Sequence, residues 1–229
     1  VLILSIDTST ASCSVALHNN GTLLGCYELF TERTSAAMLT TLIENVVSHS
    51  GFTLNQLDAI AVAKGPGSYT GLRISVSTAK GLCFALDKPL LAVNTLAGMV
   101  EQIRSFYPDN YVLCPMIDAR RMEVYCAFYD TYGQEIQPTS AEIIDETSFA
   151  DKLSTGPVLF FGDGAAKCKT ILSHQPNAIF LEQLITPSAR TIGTVASTHY
   201  EPCRVDDLAN FEPFYLKDFM TTKPKKAIL

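Results

Sequence analysis

What this chain lacks narrows its chemistry first. Its seven cysteines (Cys13, Cys26, Cys83, Cys114, Cys126, Cys168 and Cys203) are scattered, and no two form Cys-x-x-Cys. Most sit inside apolar runs, where cysteine behaves as a small buried hydrophobe. An odd, unpatterned set points to a reducing compartment. No apolar run approaches the roughly 20 residues of a membrane span. The opening Val1 to Ile6 is too short for a signal peptide, so a cytoplasmic chain without membrane contact is expected. Basic charge is also scarce. A net charge of −6 does not advertise the basic face of a protein that binds nucleic acid alone. Lys223, Lys225 and Lys226 are the exception, in a tail that reads either as a frayed terminus or as a nucleic-acid contact. The four histidines, His18, His49, His174 and His199, are isolated from one another, so no metal site is expected.

What is there is apolar. Hydrophobic residues make up 47% of 229, enough for a full core and against disorder. The most informative run is Lys64-Gly65-Pro66-Gly67-Ser68-Tyr69-Thr70-Gly71-Leu72-Arg73. An apolar segment leads in and a breaker-poor stretch to Leu86 leads out, which reads as strand, tight turn, helix, with Ser68 as N-cap. Helix N-termini bind anions, but the phosphate-loop spacings fail here. No lysine follows the last glycine, as a Walker loop requires. The third glycine of a dinucleotide fingerprint would have to fall at Thr70. Pro66 and Thr70 occupy both glycine positions of a nucleophile elbow around Ser68. The plain reading is a strand-to-helix turn.

The rest of the chain gives an order of elements. Val1 to Ile6, Cys13 to His18 and Leu23 to Phe30 read as three antiparallel strands, the last two joined at Asn19-Asn20-Gly21. Arg33 to Ser50 reads as a helix with an apolar stripe at Leu39, Leu42, Ile43, Val46 and Val47. A strand to Ala63 follows, then the turn and a helix unusually rich in small residues. Leu90 to Val93 is a strand, and Thr95 is the expected cap of a helix to Tyr107. A second series follows: strands at Tyr111 to Ile117, Met122 to Tyr129 and, weakly, Ala141 to Ile144, then a short helix. Strand Pro157 to Phe161 turns through Gly162-Asp163-Gly164 into a helix, Ala178 to Leu181 is a last strand, and Ser188 caps a helix to Tyr200. The predicted class is α/β, two ribonuclease-H-like lobes of duplicated order, residues 1–108 and a smaller 109–229. The C-terminal tail is placed to pack back on the first lobe.

The run Gly65-Pro66-Gly67-Ser68-Tyr69-Thr70-Gly71-Leu72-Arg73-Ile74 resembles the signature of the TsaB (older name YeaZ) family. So do Ile6-Asp7-Thr8-Ser9, Ile117-Asp118-Ala119-Arg120-Arg121-x-Glu123-Val124-Tyr125, Gly162-Asp163-Gly164-Ala165 and Pro213-x-Tyr215-Leu216-Lys217. The resemblance spans nearly the whole chain and implies a two-lobed actin-like/Hsp70-like ATPase fold. It further implies a non-catalytic subunit in making the tRNA base threonylcarbamoyladenosine. That subunit would pair with a TsaD-like catalytic subunit, a metal-dependent paralogue, and be joined by a TsaE-like ATPase. The reaction moves a threonylcarbamoyl group onto the adenosine next to the anticodon of tRNAs reading codons that start with A. ATP and a metal ion would belong to those partners, tRNA would be met through the complex, and the chain alone would form a homodimer. The paralogue's His-x-x-x-His pair has no counterpart here.

For a docking subunit, the resemblance puts the partner on the two helices that flank the glycine run. Leu39, Leu42, Val46 and Leu82 are the candidates for apolar burial, and Ser75, Thr78 and Ala79 for close approach. Each is equally a candidate for its own core, since half of an amphipathic stripe faces its own sheet. The alternative function is an autonomous ATP-binding enzyme, an ATPase or acyl-transferase, with Asp7 and Asp163 as nucleotide contacts. Either aspartate also reads as a residue that caps its own turn. Asp118, Arg120 and Glu123 read as an ion-pair network on a hairpin.

Overall fold

The computed structural model describes residues 1–30, 35–200 and 206–216. Arg33, Cys203 and the tail lysines Lys223, Lys225 and Lys226 lie outside the described residues. Strands β1 (Leu2–Asp7), β2 (Cys13–Asn19) and β3 (Thr22–Leu29) open the chain, followed by α1 (Ser35–His49), β4 (Ala59–Gly65), α2 (Tyr69–Leu86), β5 (Leu90–Asn94) and α3 (Thr95–Glu101). The second series is β6 (Val112–Asp118), β7 (Glu123–Tyr129), β8 (Glu135–Ile143), α4 (Ala150–Thr155), β9 (Val158–Phe161), α5 (Asp163–Leu172), β10 (Ala178–Phe180) and α6 (Ala189–His199).

Two five-stranded sheets result, ordered β3-β2-β1-β4-β5 and β10-β9-β6-β7-β8. In the first, β1 pairs antiparallel with β2 and parallel with β4. In the second, β6 pairs antiparallel with β7 and parallel with β9. Each sheet is thus the same meander extended by two parallel strands, the duplicated ribonuclease-H-like order expected from the sequence.

The first sheet buries Leu4, Ile6, Val15, Leu17, Ile60 and Val62 under α1 and α2. Its other face is lined by Ala59, Ala61 and Ala63, small enough for α6 to lie close through Ile192 and Ala196. Helix α3 packs Leu96, Met99 and Val100 on the second sheet, against Leu113, Leu159 and Phe161. The two helices therefore exchange lobes: α3, early in sequence, covers the second sheet, and α6, late in sequence, covers the first. Helix α5 closes the far face of the second sheet with Ala165, Cys168 and Leu172.

Three details differ from the sequence reading. Asn94, not Thr95, caps α3, its Oδ1 accepting the Leu96 N–H at 2.9 Å. That helix stops at Glu101 and continues only as a 3-10 turn, Arg104–Phe106. Strand β8 starts at Glu135, six residues before the expected start, because β7 supplies ladder partners along its whole length. Residues 206–216 return to the first lobe. Asp206 bridges Leu90, Lys80 Nζ donates to the carbonyls of Ala209 and Phe211 at 3.2 and 3.0 Å, and Phe214 N donates to Lys64 O at 2.7 Å. No helix of the described residues is long and apolar enough to cross a membrane.

Candidate functional site

The glycine turn is built from two backbones in contact. β4 ends at Gly65, whose φ of +116° suits glycine. Ser68 caps α2, its Oγ accepting the Gly71 N–H at 3.3 Å. Opposite lies the polar turn after β1. Ser68 N donates to Ser9 O at 2.6 Å, and Thr8 Oγ1 donates to Gly71 O at 2.6 Å. A Cβ at Gly67 would sit 2.2 Å from Ser9 O, and one at Gly71 2.0 Å from Thr8 O. Glycine is required at both places because a carbonyl already fills the space. A phosphate does not fit this turn: an N–H at the helix start is engaged, and the lining is carbonyl oxygen.

Asp7 stands behind that turn, 1% exposed. Its Oδ1 accepts the Ser9 N–H at 2.8 Å, and its Oδ2 has no hydrogen-bond partner among the described residues. Burial pushes the carboxyl from its ordinary 3.8 up to about 6, against the Ser9 hydrogen bonds that lower it. The sign follows. The folded chain holds the Asp7 proton more tightly than the unfolded chain, so stability from the neutral form is complete below 3.8 and is lost as pH rises through about 6. The shift corresponds to at most ~3 kcal/mol. Asp7→Asn keeps the acceptor for Ser9 and removes the charge. It is expected to raise the melting temperature by several degrees at pH 8, with the gain shrinking to nothing at pH 4. A gain independent of pH would show that the charge is not the cause.

Asp163 sits in the other lobe, exposed on the first turn of α5. Its Oδ1 accepts the Asp118 N–H at 3.0 Å. The strand that matches β1 by topology is β6, and its last residue is Asp118, so Asp118 rather than Asp163 is the counterpart of Asp7. The network expected on this hairpin gains a member from another element. Asp118 forms a salt bridge with Lys167 of α5 and accepts the backbone N–H of Arg120 at 2.7 Å, and, against burial, the charges of Lys167 and Arg120 both help hold its carboxyl below the ordinary value. Asp7 and Asp163 each serve the turn of their own lobe. Among the described residues no three His, Cys, Asp or Glu side chains gather in a metal-holding group.

The helix faces sort the docking candidates. Leu39, Leu42 and Val46 are 1%, 5% and 1% exposed, part of the core under α1. Ser75 and Ala79 are fully buried, and Ser75 Oγ bonds back to Leu72 O at 3.2 Å. All five are turned into the chain's own core: the apolar stripe that marked Leu39, Leu42 and Val46 is the stripe the sheet needs, and the small Ser75 and Ala79 let α2 lie close to its own sheet. Thr78 and Leu82 are half-buried at its rim. The outward stripe of α2 is Thr70, Arg73, Ser77, Gly81 and Phe84, and that of α1 includes Met38, Thr41 and Glu44. Phe84 is 85% exposed. A Cβ at Gly81 would meet nothing within 4 Å, so no contact among the described residues explains a glycine that costs about 1 kcal/mol in a helix. At the start of the stripe, the Arg73 guanidinium lies 4.4 Å from the Tyr69 ring centroid, and Tyr69 packs on Tyr215 at 4.8 Å. The returning C-terminal segment thereby reaches the base of the exposed face. The signal that could have found this face was the pair Gly81 and Phe84, residues with no place in the amphipathic stripe.

The comparisons with known proteins agree in direction. The family model described as TsaD, tRNA N6-adenosine threonylcarbamoyltransferase, matches residues 29–220. The tRNA threonylcarbamoyladenosine biosynthesis protein TsaB of Haemophilus influenzae is 38% identical over 96% of this chain and 95% of its own length. The solved structure of YeaZ from Pseudomonas aeruginosa superposes with a TM-score of 0.80 at 28% identity, over 94% of this chain and 99% of that one. A tRNA N6-adenosine threonylcarbamoyltransferase of Staphylococcus haemolyticus is 34% identical over 51% of this chain and 39% of its own.

Proposed function

This chain belongs to the TsaB (YeaZ) family, and we propose that it acts in tRNA threonylcarbamoyladenosine biosynthesis as a non-catalytic subunit, docking a TsaD-like transferase on the outward face of α1 and α2. The observation that carries this reading is the stripe Arg73, Ser77, Gly81 and Phe84. An exposed aromatic beside an unexplained helical glycine is a surface suited to another helix. The partner is named by kinship. Half of this chain is similar to a transferase sequence, and two related chains can pair through the same helices in a pseudo-symmetric, nearly isologous way. The same face would serve a homodimer when the transferase is absent. A TsaE-like ATPase joins the pair in this reading, and ATP and metal are handled by the partners, since the glycine turn here is closed by the chain's own carbonyls.

The competing reading, an autonomous ATP-binding enzyme, is favoured by one observation, the unpartnered oxygen of Asp7. One experiment separates them. Purified chain is assayed for ATP turnover alone, and for tRNA threonylcarbamoylation with and without a TsaD-like subunit and a TsaE-like ATPase. The expected result is no turnover alone and modification only when all three are mixed. ATP turnover by the chain alone, abolished by Asp7→Asn, would overturn the proposal.

A further inference from the structure

The hairpin between β6 and β7 has no part in the docking face. At its tip Arg120 and Arg121 both have left-handed backbones, with φ of 67° and 53°. They open a three-residue tip, 120–122, closed by Ala119 N donating to Glu123 O at 3.1 Å, and glycine and asparagine adopt such left-handed backbones with least strain. Arginine at both positions is strained, and strain of this kind persists where the side chains have a use. Both side chains are exposed, and neither guanidinium forms a salt bridge within 4 Å among the described residues, although the Arg120 charge is felt by the Asp118 carboxylate.

The backbone beneath them is clamped. Lys167 Nζ donates to the carbonyls of Arg121 and Glu123, each at 2.7 Å, and to the Asp118 carboxylate. All three protons of the ammonium are thereby used on one loop. Asp118 in turn accepts the Arg120 N–H, and Asp163 accepts the Asp118 N–H. A salt bridge and four hydrogen bonds to backbone groups thus fix a loop whose two exposed guanidinium groups make none of these bonds. That arrangement presents a pair of guanidinium forks to something outside the chain.

The tip also has a defined neighbourhood. Tyr125, in β7, lines a cavity of about 40 Å³ with Pro66, Gly67, Tyr69 and Tyr215. Burial and Glu123 push the Tyr125 hydroxyl up, and the charge of Arg120 opposes them, so Arg120 lies within electrostatic reach of that cavity. The hairpin therefore stands at the mouth between the lobes, on the side of the glycine turn.

We propose that Arg120 and Arg121 form a phosphate-contact site for the sugar–phosphate backbone of the tRNA substrate. The inference rests on the tRNA-modification reading above. Guanidinium matches phosphate geometry with two parallel hydrogen bonds. A chain of net charge −6 meets a polyanion only where positive charge is locally presented to solvent.

The test uses the chain assembled with a TsaD-like transferase, and measures tRNA binding by fluorescence anisotropy across a salt series. Arg120→Asn with Arg121→Gly supplies residues that tolerate a left-handed backbone and removes both charges. The expected result is an equal or higher melting temperature, unchanged assembly and tRNA affinity lower by on the order of tenfold. The slope of log affinity against log salt should fall by about one to two. Arg120→Lys with Arg121→Lys should keep most of the slope, which a merely structural role would not require. Unchanged affinity and slope in the uncharged variant would overturn the site. Loss of transferase assembly with an unchanged slope would instead make the tip a protein contact and overturn it equally. If the unaltered complex binds no tRNA at any salt, the functional reading itself fails and takes the site with it.

Discussion

Gly71→Ala is expected to lower the melting temperature by roughly 6–12 °C, corresponding to about 3 kcal/mol in a chain of this size. The added Cβ would lie 2.0 Å from Thr8 O, and neither side can yield cheaply. Thr8 belongs to the turn that ends β1, a fully buried strand. Gly71 sits in the first turn of α2, tied to Ser68 on one side and to Thr8 Oγ1 on the other. Relief requires either the helix start to lift or the β1 turn to shift, and both break hydrogen bonds in a buried place. The control is Gly81→Ala, in the same helix with open space around its Cβ. That change should stabilise the isolated chain by about 0.5–1 kcal/mol. Thermal unfolding of the two variants side by side checks the pair. Equal effects would mean that the two backbones do not meet at Gly71.

Phe84→Glu is expected to have the largest effect on assembly. Phe84 is 85% exposed, so the change removes no packing from the isolated chain and should leave its melting temperature within about 1 °C. If Phe84 anchors the transferase, burying a carboxylate in its place costs on the order of 2–4 kcal/mol, roughly 30- to 1,000-fold in Kd. Gly81→Leu should act in the same direction by holding the two backbones apart, although it too is harmless to the chain alone. By contrast, Leu42→Ala weakens the fold by a cavity of its own, because Leu42 is in the core under α1. Titration of each variant with the transferase separates loss of docking from loss of fold.

The element order was legible because its signals are local. Asn19-Asn20-Gly21 marked a hairpin, Ser68 and Ser188 marked helix starts, and alternating or continuous apolar runs marked strands. The direction of each helix face was not legible, because Leu39, Leu42 and Val46 fit an interface stripe and a core stripe equally well. Only the position of the sheet decides between them. The exchange of α3 and α6 between sheets is likewise a tertiary fact, expressed in Ala59, Ala61 and Ala63 far from either helix in sequence. The sequence shows Arg120 beside Asp118, and its charge does act on that carboxylate, but Lys167, which pairs with Asp118 from another element, has no local signal. The left-handed backbones of Arg120 and Arg121 carry no sequence signature at all: arginine is not a residue one reads as left-handed. The close approach at Gly67 and Gly71 is the intermediate case, since the glycines were visible but what they make room for was not.

The most direct test of the docking face is to map it in the assembled complex. Cysteine is introduced by Ser77→Cys on the outward stripe of α2, and separately by Ile136→Cys on the edge of the second sheet, both exposed positions. Alkylation of each new thiol is followed site by site by mass spectrometry, with and without the TsaD-like subunit. The account predicts strong protection of the thiol in the Ser77→Cys chain on assembly and no change in the Ile136→Cys chain. Full reactivity at position 77 in a complex that still forms would contradict it.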